Sequence, residues 1–419
     1  MTAIVGVLNK RAAVMAADSA VTVTRGTRCK IYNTATKIFK LSDDYPVGVM
    51  MFSSADFMGM PWDVIIKMYH KNRGKQCFDT LRGYVENFID FLKTEPLLKD
   101  MQSLGHEYLL KEMATYYEKV KDTAIERCKE ELEENVDSCS DDEAVALLRK
   151  HIVDVIGEIS KQCIDDGKSP EFEDYSFNAF CDYAINDFST LMSQCKDDGI
   201  PVNTRTEWER GLYCYITHGV MYQGTGLVFV GYGETEIFPS LIPLYLSGIL
   251  DGRLRYSYSD EETAVISNNN IAAIQPFAQT DVMQTMMKGI APDLYELALD
   301  SHTASVDSVK QKMIEVAMNN GASEDLLAKM RETDVDETKE HFDETLAEFV
   351  QREYVEGIVD AVDSFGIEDM ANMAESLVSI TNLQRHITSS EESVGGPVDV
   401  AVITRSDGFV WLKHKTNDL

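Results

Sequence analysis

Two apolar runs open the chain, 3–8 and 12–17, separated by the polar Asn9-Lys10-Arg11. Short unbroken apolar runs flanking a turn-forming residue predict the two buried strands of a hairpin. Further strands are predicted over 36–41 and 47–52. Ser54 is a good N-cap with Asp56 in the following turn, so a helix is predicted from there. It would run through Trp62, Ile65, Ile66 and Met68 to about Asn72.

From residue 74 the period changes. Phe78, Leu81, Val85, Phe88, Ile89 and Leu92 recur at helical spacing, as do Val145, Leu148, Ile152, Val155 and Ile159. Helix breaks are predicted at 167–170 and 197–201. Strand character returns over 226–232, 241–246 and 254–258. Helices follow from about Thr280, with an acidic helical stretch over 291–363 and a last helix over 367–386. Gly395-Gly396-Pro397 then leads into two closing strands, 398–403 and 410–414. Strands at both ends and in the middle, with helical blocks between them, fit an α+β sandwich carrying two insertions. The alternation of a doubly wound parallel sheet is missing. The predicted core comprises 1–73 and 225–419, with a helical insertion near 291–363. Residues 74–224 would form a separable helical domain.

Composition narrows the function classes. Seventy acidic residues against 39 basic ones give a formal net charge of −31. Such a chain is repelled by nucleic acid and by anionic membranes, so neither is an expected partner. No apolar stretch approaches bilayer length, and the N-terminus lacks the basic-then-apolar order of a signal peptide. The eight cysteines contain no C-x-x-C pair, which points to free thiols in a reducing compartment and a cytoplasmic location. His106, His151 and His218 lack paired ligand spacing, so no metal is expected, and no cofactor. Gly224-x-Gly226 and Gly231-x-Gly233 lack the Lys-Ser/Thr of a phosphate loop.

The candidate chemistry lies at the start. Thr2 follows Met1 directly, and a small second residue permits Met1 removal. That would leave a threonine with a free α-amine, whose ordinary pKa of about 7.7–8.0 makes it a usable base near neutrality. One residue could then serve as nucleophile and base.

The opening segment, with Thr2, the returning strand, Asp18-Ser19 and Thr22, resembles the start of catalytic proteasome β-subunits. It is equally similar to the bacterial proteasome-like peptidase that works with an ATPase ring. Lys37, in Thr36-Lys37-Ile38-Phe39-Lys40-Leu41, stands where that family has its catalytic lysine. The stretches 227–233, 241–246 and 393–403 resemble the family's central hairpin and closing strand. The resemblance implies a four-layer αββα sandwich, the N-terminal-nucleophile hydrolase fold, with large helical insertions. It implies that Thr2, Asp18 and Lys37 are catalytic: Lys37 lowers the pKa of the Thr2 hydroxyl, and Asp18 holds Lys37 charged and oriented. Apart from the resemblance, an Asp and a Lys are a surface ion pair worth little. A partly exposed pair would cost at most about 1 kcal/mol on removal, and a more buried pair would cost more.

Where the family carries a double glycine, this chain has Phe52-Ser53, followed by Ser54. A backbone donor survives a side-chain change, so the implied oxyanion and substrate contacts fall on Ser53, Ser54 and Thr22. Phe52 is expected to narrow the site. The family's supporting aspartate and serine fall on Glu391 and Ser393, and another supporting serine falls near Gln279-Thr280 without a clear match. The implied function is hydrolysis of an amide bond, a peptide bond foremost, through an acyl-ester on Thr2. The implied partners are a peptide or amide substrate and a homo-oligomer or ring, and the sequence names no ATPase partner. Two alternatives stay open: an amidohydrolase acting on a small acylated molecule, and a non-catalytic scaffold.

Overall fold

A computed structural model describes residues 2–25, 28–32, 35–42, 44–73, 75–94, 104–134, 140–200, 204–218, 224–388 and 395–415. The predicted hairpin forms, with β1 (Ala3–Asn9) antiparallel to β2 (Ala13–Ala17) and Ile4 opposite Ala17. Asn9 closes its turn. Its Oδ1 accepts from the Arg11 and Ala12 amides, and its Nδ2 donates to Val362 O at 2.8 Å.

A small ribbon of β3 (Val21–Arg25) and β4 (Arg28–Tyr32) follows, then β5 (Ile38–Lys40) and β6 (Val47–Ser53). The predicted helix does not start at Ser54. Instead β7 (Asp56–Phe57) and β8 (Met60–Pro61) make a tight hairpin whose turn residues Met58 and Gly59 have φ of 48° and 84°. The helix is Trp62–Arg73. Pro61 is the reason: inside a helix it would remove a hydrogen bond and clash, whereas immediately before the first turn it costs nothing.

The middle strands are β9 (Thr225–Gly231), β10 (Ser240–Leu250), β11 (Arg253–Tyr258), β12 (Ala264–Val265) and β13 (Ala272–Ala278). The closing pair is β14 (Asp399–Thr404) and β15 (Gly408–Lys413). One sheet runs β13-β1-β2-β14-β15 and the other β11-β10-β9-β6-β5, with β12 on β10. Their strand pairs are all antiparallel. The molecule is therefore a mixed α+β structure. β13 escaped the sequence pattern because Pro276 interrupts it, and it occupies the sheet edge, where a missing N–H is tolerated.

β1 is buried on both faces, which explains its unbroken apolar run. Ile4 and Leu8 meet Met50, Val228 and Leu241 of the second sheet. Val5 and Val7 point the other way, onto Leu377 and Val378 of the helix Ile367–Thr388. Gly6 lets the sheets approach: a Cβ there would lie 2.4 Å from Leu241 Cδ1. The outer side of the second sheet, including Val49, Leu227 and Phe229, is covered by Trp62, Ile65 and Phe88.

Phe88 belongs to the helix Leu81–Thr94, which the sequence pattern had grouped with the insertion but which packs on the sheet. A separate apolar cluster begins beyond it, with Leu109, Tyr116, Ile152, Phe180 and Trp208, joined by Leu250 at the end of β10. Arg255 of β11 rivets the two clusters. It is 1% exposed and donates to Glu112 Oε2 at 3.0 Å, Tyr108 Oη at 3.1 Å and Tyr215 O at 2.5 Å. Residues 292–364 form the second helical stretch, in helices Pro292–Asn319, Glu324–Glu332, Asp336–Val350 and Glu356–Ser364. Among the described residues no helix is long and apolar enough to cross a membrane.

Because Phe88 contacts Trp62, Tyr69, Phe91 and Phe229, Phe88→Ala should cost about 3–5 kcal/mol of global stability. Urea unfolding followed by tryptophan fluorescence measures it. A cost under about 1 kcal/mol would mean that this helix is not part of the sheet's core.

Candidate active site

The hairpin register builds the first half of the site. With Ile4 opposite Ala17, the next pair outward is Ala3 and Asp18. Asp18 N donates to Ala3 O at 3.1 Å, and Ala3 N donates to Asp18 Oδ1 at 3.0 Å. Thr2 is thereby held at the mouth of the hairpin, and Gln279 N fixes its carbonyl at 3.3 Å. The sixteen-residue spacing from Thr2 to Asp18 is hairpin geometry.

Lys37 enters from the second sheet. Its carbonyl accepts from Met51 N at 2.8 Å, which sets the strand against β6. Its Nζ donates to Asp18 Oδ1 at 2.7 Å and to Thr2 Oγ1 at 3.0 Å. The side chain of Lys37 is 2% exposed and that of Asp18 is fully buried, so the partly exposed ion pair expected from the sequence is corrected to a buried one. The remaining carboxylate oxygen, Asp18 Oδ2, accepts from Ala20 N at 3.2 Å and Gly395 N at 3.3 Å. Burial lowers the Lys37 pKa from its ordinary value; Asp18 pulls it back up, and the charge of Lys415 lowers it further. A desolvated ammonium in contact with a hydroxyl stabilises the alkoxide that forms when the hydroxyl loses its proton.

Several supports lie far away in sequence and carry no local signal. Ser19 N donates to Gly395 O, and Ser19 Oγ donates to Pro397 O at 2.7 Å. Lys415 Nζ donates to Ser19 Oγ at 2.9 Å, to Ala35 O at 2.6 Å and to Asp399. One half-buried cation thus ties the loop after Asp18 to the loop before Lys37. Arg385 Nε donates to Gln279 Oε1 at 3.0 Å and the guanidinium also pairs with Asp281, anchoring the residue that holds Thr2.

The other sequence candidates are less tightly drawn in. Ser53 ends β6, opposite Thr225 and two residues beyond Met51, with φ of 69°. Ser54 Oγ donates to Asp56 O at 2.8 Å and Ser54 O accepts from Thr225 Oγ1 at 3.2 Å. Neither serine bonds to Thr2, Asp18 or Lys37 among the described residues. Thr22 lies in β3 opposite Ile31, and its side chain is outside the described residues, as are Glu391 and Ser393 altogether.

Phe52 packs into the space between the sheets and also forms part of a cavity wall. Its ring lies 8% exposed between Phe277 and Tyr245, at centroid distances of 5.7 and 5.9 Å. Gly226 directly across the sheet makes the room, since a Cβ there would lie 2.0 Å from the ring. A cavity of about 370 Å³ remains beside Ser53, walled by Phe52, Thr225, Tyr245, Glu262 and Ala278. A second, of about 440 Å³, lies between Ser54 and Thr225 on one side and Tyr108, Lys111 and Glu112 of the inserted helices on the other. No group of three or more metal-ligating side chains converges among the described residues.

Lys37→Ala would leave Asp18 buried with backbone donors only. It should cost about 3–5 kcal/mol in chemical denaturation, the range for breaking a buried pair. Lys40→Ala, at a half-buried position on the opposite face, should cost about 1 kcal/mol or less. Equal costs for the two variants would contradict the buried pair.

No protein-family model matches the chain, and no curated protein sequence matches it either, so the function has to be inferred from the site's own geometry.

Proposed function

We propose that the protein is an N-terminal threonine hydrolase that cleaves amide bonds, peptide bonds foremost, on a four-layer αββα sandwich of the N-terminal-nucleophile type. The observation that carries this reading is the contact of Lys37 Nζ with Thr2 Oγ1 at 3.0 Å, backed by Asp18 at 2.7 Å in a buried setting. Two antiparallel sheets with Ile367–Thr388 on one outer face and Trp62–Arg73 and Leu81–Thr94 on the other support the fold assignment. The same reading carries a cytoplasmic location and assembly into a homo-oligomer.

The reaction requires Thr2 to be N-terminal in the active protein. Thr2 Oγ1 attacks the carbonyl carbon while its proton passes to the α-amine, whose ordinary pKa of about 7.7–8.0 suits the task. Lys37 stays charged on Asp18 and stabilises the developing alkoxide. The Ser53 N–H, on the strand that anchors Lys37, is the candidate donor to the oxyanion. Collapse of the tetrahedral intermediate breaks the C–N bond, and the α-ammonium returns its proton to the leaving amine. Water, deprotonated by the same amine, then hydrolyses the ester on Thr2.

The cavity between Ser54 and the inserted helices favours a second reading, in which the acyl donor is a small molecule enclosed there. A pure scaffold would give the buried Thr2–Lys37–Asp18 contact no role.

Intact mass and labelling test the proposal. Active protein should lack Met1, and a threonine-directed epoxyketone should add once, at Thr2. Thr2→Ala should abolish both labelling and turnover while leaving the Lys37–Asp18 pair and the melting temperature nearly unchanged. An adduct mapped elsewhere, or full activity with Met1 retained, would sink the mechanism. Cleavage of a small acylated amide but of no peptide would favour the second reading.

A further inference from the structure

Glu262 contributes a carboxylate to the wall of the cavity beside Ser53. Its Oε2 accepts from the Tyr245 hydroxyl at 2.5 Å, while Oε1 has no partner and no Lys, Arg or His pairs with the group among the described residues. Three buried carboxylates among the described residues are matched by cations: Asp18 by Lys37, Glu112 by Arg255 and Asp399 by Lys415. Burial, reinforced by Glu262, pushes the Tyr245 phenol up, so it remains a neutral donor to the carboxylate. Two aromatic rings, Phe52 and Tyr245, stand edge to face in the same wall. Aromatic faces beside a carboxylate form a cation-binding environment.

The cavity is one residue removed from the backbone contact that holds the proposed nucleophile. Ala278 and Thr280 line it, and Gln279 between them holds the Thr2 carbonyl at 3.3 Å. Across from them lie Ser53 and Thr225. A volume of about 370 Å³ is enough for an extended side chain, and lies within the usual size of ligand sites.

We propose that this cavity is a specificity pocket for a cationic group of the substrate, an ammonium or guanidinium such as a Lys or Arg side chain, bound by Glu262 in the cavity that Phe52 and Tyr245 help to wall. As a statement about substrates, the proposal rests on Thr2 being the nucleophile; as a statement about binding, it stands on the cavity alone.

Two measurements keep those apart. Fluorogenic peptides carrying Lys, Arg, norleucine or Glu at each position flanking the scissile bond are assayed with wild type, Glu262→Gln and the exposed control Glu261→Gln. Wild type and Glu261→Gln should favour Lys or Arg over norleucine by at least ~10-fold in kcat/KM, and Glu262→Gln should bring that ratio near one. Benzamidine binding is measured by calorimetry on the full-length chain, and should be present in wild type and at least ~10-fold weaker in Glu262→Gln. Peptide cleavage without a basic preference, or a preference untouched in Glu262→Gln, overturns the specificity pocket and leaves the hydrolase reading standing. Glu262-dependent benzamidine binding with no cleavage of any substrate leaves a cation site and removes the hydrolase reading. Absence of benzamidine binding to wild type overturns the cation site itself.

Discussion

A single buried carboxylate organises the N-terminal end of this molecule. Asp18 takes four donors, the amides of Ala3, Ala20 and Gly395 and the ammonium of Lys37. Each donor comes from a different segment: the start of β1, the turn after β2, the approach to β14 and the strand that pairs with β6. An ionised carboxylate out of water is tolerable only when its lone pairs are filled, so folding of these segments and satisfaction of this charge are one event. Thr2 has no comparable network of its own. Its hydroxyl meets Lys37, and its backbone rides on the hairpin and on Gln279.

Around that centre, charge is arranged in buried pairs with different jobs. Lys37–Asp18 bridges the two sheets at the site, Lys415–Asp399 braces the neighbouring loops, and Arg255–Glu112 fastens the inserted helices to β11. Such pairs add little net stability over an apolar packing, but they penalise any arrangement that separates them. They fix register where apolar contacts alone would tolerate sliding. Glu262 stands outside this scheme as a cavity-facing carboxylate with no cation paired to it among the described residues, which is why it reads as a binding group.

The inserted helices are more closely joined to the sandwich than their separate apolar cluster suggests. Leu250 belongs to that cluster, Ser169 Oγ donates to Tyr256 O at 2.7 Å, and Arg255 reaches Tyr215 and Glu112. The cavity between Ser54 and Tyr108 is a product of this junction. Whatever enters the site from that side meets surfaces supplied by both parts of the chain.

What the sequence determined alone is what depends on near neighbours. The β1–β2 hairpin follows from two apolar runs around Asn9, while the Thr2–Asp18 relation came from the family resemblance, and the register that sets Asp18 beside Ala3 is what explains it. The helical stretches were legible from their period. Tertiary structure decided the rest. Pro61 and the Met58-Gly59 turn displaced the expected helix start, and Leu81–Thr94 joined the sheet because its Phe88 face fits against Phe229. The seat of the Phe52 ring depends on Gly226, 174 residues away in sequence. Arg385, Asp399 and Lys415 were silent because a charge acquires its role only from the partner that folding brings to it. Burial of the Lys37–Asp18 pair was invisible for the same reason: desolvation is a property of the surrounding sheets and loops, which no local pattern of residues encodes.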